Sequence, residues 1–458
     1  GILLTWVIAM VITISIAVSL TEIISAKKRG ENSGIAGWSE EFVGKRFGRF
    51  MHTFIPICYF SFTSVVVAFF LSEAIFNVFL AIIPSFSANN VHVGFVCILA
   101  IVLYASNVIL SIFKHKFCVS VAKCLAYIKF IPIITIFLVG VIFAIVNGNI
   151  GLFNSSNNGG INFNGMISSI TPALFAFDGF LFVAAISSSI KKPEKTIPKS
   201  LLISIIIIGS CYIAITFSLL LIGDGNMTNF FEKVCGDNQV LKNVISCIFA
   251  FVIVIALVAT VNGFIMGAIF ALQCSREENF LAFGANCHVV NNNEEYSKKK
   301  HNLIYMLFFL VFWSLIIFVP STILNTDQII DGTSNIIIEF EFFMITIVIV
   351  ASVINRWTKK VNVKKFKYQI VIGILASIFC FSFATFSTLN DYIIAPIISP
   401  NDISSWGLFF SHDKPINILY QSIIFWAFAL FFFFIPFIND LLIKISNKNY
   451  TEKLLWQK

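Results

Sequence analysis

The sequence predicts an all-α, polytopic membrane protein, and three observations carry that expectation. Of 458 residues, 58% are hydrophobic and 12% charged, against roughly 25% charged in an ordinary soluble domain. The apolar residues gather into runs of about 18 to 30, long enough to cross a hydrocarbon core that needs roughly 20 helical residues. Basic residues fall in every second loop between those runs. Helices are expected rather than barrel strands, because lipid leaves backbone groups unsatisfied unless each segment pairs its own, and barrel strands alternate over about ten residues.

In chain order the runs are Trp6–Ile24, Phe54–Ile83, Val93–Phe113, Val119–Val146, Ile170–Ile190, Leu201–Ile222, Val244–Cys274, Leu303–Leu324, Ile336–Ile354, Ile370–Phe386 and Ile416–Phe437. With an outside start, the inner loops and the tail hold 26 of the 31 basic residues, among them Lys27, Arg46, Lys114, Lys192, Lys199, Arg276, Arg356 and Lys444. The outer loops hold Lys233, Lys242 and Lys414 beside acids such as Asp224, Glu232, Asp327, Asp331, Asp391 and Asp402. The positive-inside rule then sets the orientation and checks the count of eleven, since one missed helix would invert every later loop.

The net charge of +8 is therefore a topological signal, and nucleic acid is not an expected partner. The ten cysteines contain no C-x-x-C pair and lie mostly within the runs, so they read as small apolar fillers. His52, His92, His115, His288, His301 and His412 lie at run ends or in loops without the i, i+4 spacing of a helical metal site. No Walker A loop, G-x-S-x-G elbow or H-E-x-x-H is present, so no catalytic residue, metal or cofactor is expected. N-x-S/T matches at Asn154, Asn226 and Asn449 are weak in so Asn-rich a chain.

The chain reads as one transmembrane domain over residues 1–458, with cytoplasmic loops and tail at 25–51, 275–302 and 438–458. An odd count of spans with an outside start, opening on Gly1 just before Trp6, leads us to expect a further helix upstream. A cleaved signal peptide is the competing explanation.

The fifth run carries the most informative motif. Phe175-Ala176-Phe177-Asp178-Gly179-Phe180 is followed by Lys191-Lys192-Pro193 and Ile197-Pro198-Lys199. An Asp at mid-membrane depth costs roughly 2.5 to 3.5 kcal/mol, so it is expected to face a cavity or a partner. Gly179 lets the helix unwind and frees backbone groups for a ligand. A kinked helix whose Asp178 meets a neighbouring donor is the alternative.

This stretch resembles the sixth helix of the amino acid–polyamine–organocation superfamily, which reads Phe-x-Phe-x-Gly-Phe/Trp and, about a dozen residues on, Lys-Asn-Pro-x-x-x-Ile-Pro-Arg. Glu22 followed by Phe47-Gly48, the pair Tyr59-Phe60, Lys129 within Tyr127 to Pro132, and Thr260-Val261-Asn262-Gly263 before Arg276 are similar to other segments of that family in the right order. Departures are Leu181, Ser188 and Ser189 where acids are common, and Pro56-Ile57 in place of a Gly-Trp pair.

The resemblance implies LeuT-type inverted five-helix repeats with two extra helices, the first and sixth broken at the midplane. Run one is then the family's second helix, and the first is absent from this sequence. It also implies an amino acid permease of alternating access, proton-coupled symport being the leading expectation and amino acid or polyamine exchange the alternative. Phe175, Ala176, Phe177, Asp178 and Gly179 would supply the visible half of the substrate site. Phe175 would be a lid or plain packing; Asp178 would favour cationic substrates or cap the broken helix.

Lys129 lies inside a span, where an unpaired ammonium is costly, and would couple transport to protons unless it snorkels to the surface as Lys123 does. Tyr59, Thr260 and Asn262 are further pathway candidates. Glu73, Glu339 and Glu341 are expected near the outer interface. The implied partners are an amino acid, protons and the bilayer of a cell membrane, with the C-terminus cytoplasmic. A membrane transferase would need convergent His, Asp or Glu residues on one face, and a channel would need a continuous polar stripe; neither pattern is found.

Overall fold

The computed structural model describes residues 1–26, 34–83, 91–147, 163–179, 190, 192–223, 225, 227–236, 238–282, 294–407 and 415–456. Its elements are helices: α1 (Ile2–Ile24), α2 (Ile35–Phe42), α3 (Lys45–Ile82), α4 (Val93–Phe113), α5 (His115–Ile128), α6 (Phe130–Asn147), α7 (Phe163–Ser168), α8 (Ile170–Phe177), α9 (Pro193–Gly223), α10 (Met227–Cys235), α11 (Gln239–Glu277), α12 (Glu294–Trp313, continuing to Leu324), α13 (Gln328–Thr358), α14 (Gln369–Leu389, continuing to Ile398) and α15 (Ile418–Trp456). Among the described residues ten helices are long and apolar enough to cross a membrane. Each coincides with one of the sequence runs. The remaining run, the fifth, contributes only the short apolar helix Gly165–Phe177. Its motif residues Phe180, Leu181, Ser188, Ser189 and Lys191 lie outside the described residues.

The bundle has an apolar outer surface and an apolar core, and the polar side chains within its spans are turned inward, as a lipid-solvated protein requires. Phe95, Ile98 and Val102 of α4 and Phe308, Val311 and Leu315 of α12 are exposed, whereas Glu22, Thr63, Ser64, Glu73, Glu339 and Glu341 are buried.

Packing pairs α1 with α9, α3 with α11 and α4 with α12. In the register that the resemblance implies, these would be helices two with seven, three with eight and four with nine. Two inverted repeats bring equivalent helices together about the axis relating them, which is the arrangement seen. The off-axis contacts repeat too: α6 on α9 is matched by α1 on α13, and α5 on α11 by α3 on α13. The two extra helices, α14 and α15, both pack on α13.

Local chemistry explains the irregular turns. Pro56 lacks an N–H and its ring crowds the preceding turn, and α3 responds with a π-helical segment, Ile55–Ser61. The carbonyls this loosens find partners on other helices: His52 O accepts from Ser275 Oγ at 2.7 Å, and Ile57 O from Trp313 Nε1 at 3.1 Å. Gly48 has a similar local reason, since a Cβ there would sit 2.6 Å from Glu40 Cα where α2 crosses α3.

The two ends of the bundle are laced differently. At the end carrying the basic loops, Arg356 Nη2 meets Glu22 Oε2 at 2.5 Å, and Gln369 Nε2 donates to Ser19 O and Ser352 Oγ. At the other end Asn325 Oδ1 accepts from Val93 N, and Asp331 Oδ2 from Gly407 N.

Candidate functional site

The centre of the bundle is organised around the end of α8. Its last helical residue is Phe177; Asp178 turns extended at φ −64°, ψ 165°, and Gly179 follows at φ +109°. A positive φ of that size suits glycine alone among the residue types. The break falls inside the bundle rather than at its surface, so the groups it exposes must be met by other side chains.

They are met from three helices. Tyr59, in the π-segment of α3 and fully buried, donates its hydroxyl to the Asp178 carboxylate, 2.7 Å from Oδ1 and 2.8 Å from Oδ2. The Gly179 N–H donates to Asp178 Oδ1 at 2.5 Å. From α9, Tyr212 OH donates to Ala176 O at 3.2 Å. From α13, Glu341 approaches both Asp178 and Tyr59, but among the described residues neither of its oxygens completes a hydrogen bond.

The aromatic neighbours divide by role. Phe177 packs edge-on against Tyr212 and Trp6, with ring centroids 5.7 Å and 6.2 Å away, and Trp6 stacks on Tyr212 at 4.6 Å. Its ring is thus part of the α1–α9 contact. Phe175 is half-buried and meets Phe70 of α3 edge-on at 6.1 Å.

Above this layer α8 is held a second time. Thr171 Oγ1 donates to Glu339 Oε1 at 3.0 Å, and Ser387 Oγ of α14 donates to the same oxygen at 2.8 Å. A cavity of about 220 Å³ opens beyond it, lined by Thr171, Asn335, Asp331, Asp391, Tyr392 and Trp406 among others.

The remaining candidates stand apart from the break. Lys129 sits at the junction of α5 and α6, half-buried, with its ammonium 5.5 Å from the Phe130 ring centre in a cation–π contact. Its neighbour on α9 is Cys211, one residue from the tyrosine that holds Ala176. Thr260 is exposed and back-bonds to Ala256 O. Asn262 is buried elsewhere, donating to Cys118 O at 2.9 Å and accepting from Ser111 Oγ at 3.2 Å. It ties α11 to the corner between α4 and α5.

Glu73, Glu339 and Glu341 do not reach solvent: they are 3%, 4% and 1% exposed. The ninth run begins at Ile336, but its helix begins at Gln328. Glu341 is thirteen residues in, about 20 Å along the axis at 1.5 Å per residue. The contributions of Trp6 and Tyr212 were not anticipated; a lone tyrosine amid the isoleucines of Leu201–Ile222 was the available signal.

The amino acid permease family model matches residues 1–428. The chain belongs to the amino acid permease family. Over 100 residues the permease is 33% identical to the serine/threonine exchanger SteT of Bacillus subtilis (strain 168), a match spanning 21% of this chain and 21% of that protein. Membership agrees with the resemblance carried by the Phe175 to Lys199 motif and with an all-α, multi-pass membrane architecture. In this permease, Gly179→Ala is expected to lower thermal stability in detergent by about 1 to 3 kcal/mol, the cost of a non-glycine residue in a disfavoured backbone region. Among the described residues nothing lies within 4 Å of the added methyl, so the loss is expected to report backbone conformation. Unchanged melting would mean that the break adopts another conformation.

Proposed function

We propose that this permease moves amino acids across the cell membrane by alternating access, with binding and rocking and no covalent step. The observation that carries the reading is the interruption of α8 at Asp178–Gly179, inside the bundle and met by Tyr59, Tyr212 and Glu341. The carbonyl end of a helix carries partial negative charge, and an acid beside it suits an ammonium group. Phe175, Ala176, Phe177, Asp178 and Gly179 form this half of the substrate site, with Tyr59 as its partner on α3.

Transport is proton-coupled symport with Lys129 as the coupling residue, in a single membrane domain with its C-terminus cytoplasmic. Exchange is the second reading, favoured by the similarity to a serine/threonine exchanger. Reconstitution into proteoliposomes tests both. Saturable uptake of a radiolabelled amino acid is expected, and Lys129→Ala should remove accumulation driven by a pH gradient while exchange persists. A snorkelling lysine predicts identical pH profiles for the two proteins. Uptake that requires internal amino acid and ignores the gradient would favour exchange. No saturable uptake of any amino acid would end the transport reading.

A further inference from the structure

Glu341 reaches the end of α8 without a bond of its own there, and its surroundings are unusual. It is 1% exposed, and among the described residues both carboxyl oxygens lack a hydrogen-bond partner. Its acidic neighbour is Asp178. Among the described residues no basic side chain forms an ion pair with either acid. The titratable groups facing the pair are Tyr59 from α3, whose hydroxyl is donated to Asp178, and the two acids themselves. Tyr212 of α9 is engaged with Ala176 O. Glu339, the other acid of this stretch of α13, is bonded to Thr171 and Ser387.

Elementary electrostatics limits what such a pair can be. Two carboxylates in contact in a poorly solvated interior repel strongly, and each pays a desolvation cost that only a donor or a cation offsets. The carbonyl end of α8 adds partial negative charge at the same point. Asp178 already accepts from Tyr59 and Gly179, so it is the acid equipped to be ionised. Among the described residues neither Glu341 oxygen has a hydrogen-bond partner, so it is the acid equipped to donate. A proton on Glu341 removes one charge and gives the pair a hydrogen bond.

We propose that Asp178 and Glu341 share a single proton, making the α8 break a proton-binding site of the permease. The site rests on the transport reading for its use, but its existence is a separate matter. With the proton in place the junction between α8, α3 and α13 carries one negative charge and closes; with it lost, repulsion drives Glu341 away from the break. Exchange of substrate therefore falls as pH rises through the loss of that proton. Glu341→Gln, which keeps the shape and cannot ionise, holds the junction closed at every pH.

Two measurements on the full-length protein in proteoliposomes test this. Infrared difference spectra of wild type against Glu341→Gln should show loss of a protonated carboxylic acid absorption at neutral pH. Lys129→Ala, which removes no carboxyl, should retain it. Counterflow of radiolabelled serine should decline at alkaline pH in wild type and stay level in Glu341→Gln. An unchanged infrared spectrum on replacing Glu341, or an alkaline decline preserved in Glu341→Gln, would overturn the proposal. If Glu341→Gln fails to fold, Asp178→Asn gives the same infrared test, because a lone Glu341 without its ionised partner must shift its absorption; no shift refutes the pairing. Absence of any wild-type counterflow would count against the transport reading, and the infrared result would still decide the pair.

Discussion

Arg356→Ala is expected to destabilise the protein by about 3 to 5 kcal/mol, the cost of leaving one member of a buried ion pair without its partner. Glu22 is 0% exposed and the Arg356 side chain 14%, so solvent cannot replace the guanidinium. Glu22 Oε2 would keep only the Phe366 N–H at 2.9 Å. Three segments lose a common tie, since Arg356 Nη2 also donates to Phe366 O and thereby joins α1, α13 and the stretch leading into α14. Thermal unfolding in detergent measures the loss. Adding Glu22→Gln to Arg356→Ala should recover part of it, because the uncompensated charge goes with the acid. A single-variant loss below about 1 kcal/mol, the range of exposed pairs, would mean that water reaches the site.

Tyr59→Phe removes one hydroxyl and leaves the ring contacts with Phe60 and Phe264 in place. Hydrogen bonds to a charged group contribute about 1.5 to 3 kcal/mol, and 1.4 kcal/mol is tenfold. The expected result is a roughly ten- to hundredfold lower kcat/KM for amino acid uptake with little change in melting temperature relative to Arg356→Ala. A value within about twofold of wild type would remove Tyr59 from the working site, because a hydrogen bond of this strength cannot be lost without a larger effect.

Fold class was legible because bilayer physics writes itself into composition: the runs and the loop charges each constrain the other. The break at Asp178–Gly179 was legible for the same reason, an acid and a glycine being conspicuous in lipid. Pairings between helices were not, because period and hydropathy locate a span without saying what each face meets. Asn262 read as a pathway residue, and its tie between α11 and the α4–α5 corner could not be read from spacing. Glu341 looked peripheral because an apolar run ends where the first polar residues appear, whereas α13 continues through Gln328, Asp331 and Asn335. Those residues are tolerated inside the helix because the neighbouring segments 403–407 and 415–421 cover them and supply partners, as Trp406 O and Ile416 N do for Gln328. Lys129 was recognisable as a lysine out of place, but not as the hinge between two helices.

The π-segment at Pro56 has a mechanical consequence. Two carbonyls of α3 accept from Ser275 of α11 and Trp313 of α12, and baring a buried polar group costs about 1 to 3 kcal/mol. Sliding or straightening α3 alone would bare both, so the three helices are geared together. Tyr59, carried on that same turn, is the tooth that engages Asp178 from the other side. The stiff part of the machine thus reaches the broken helix through a phenol, and any stroke of α8 relative to this block is registered first as a change in that one contact.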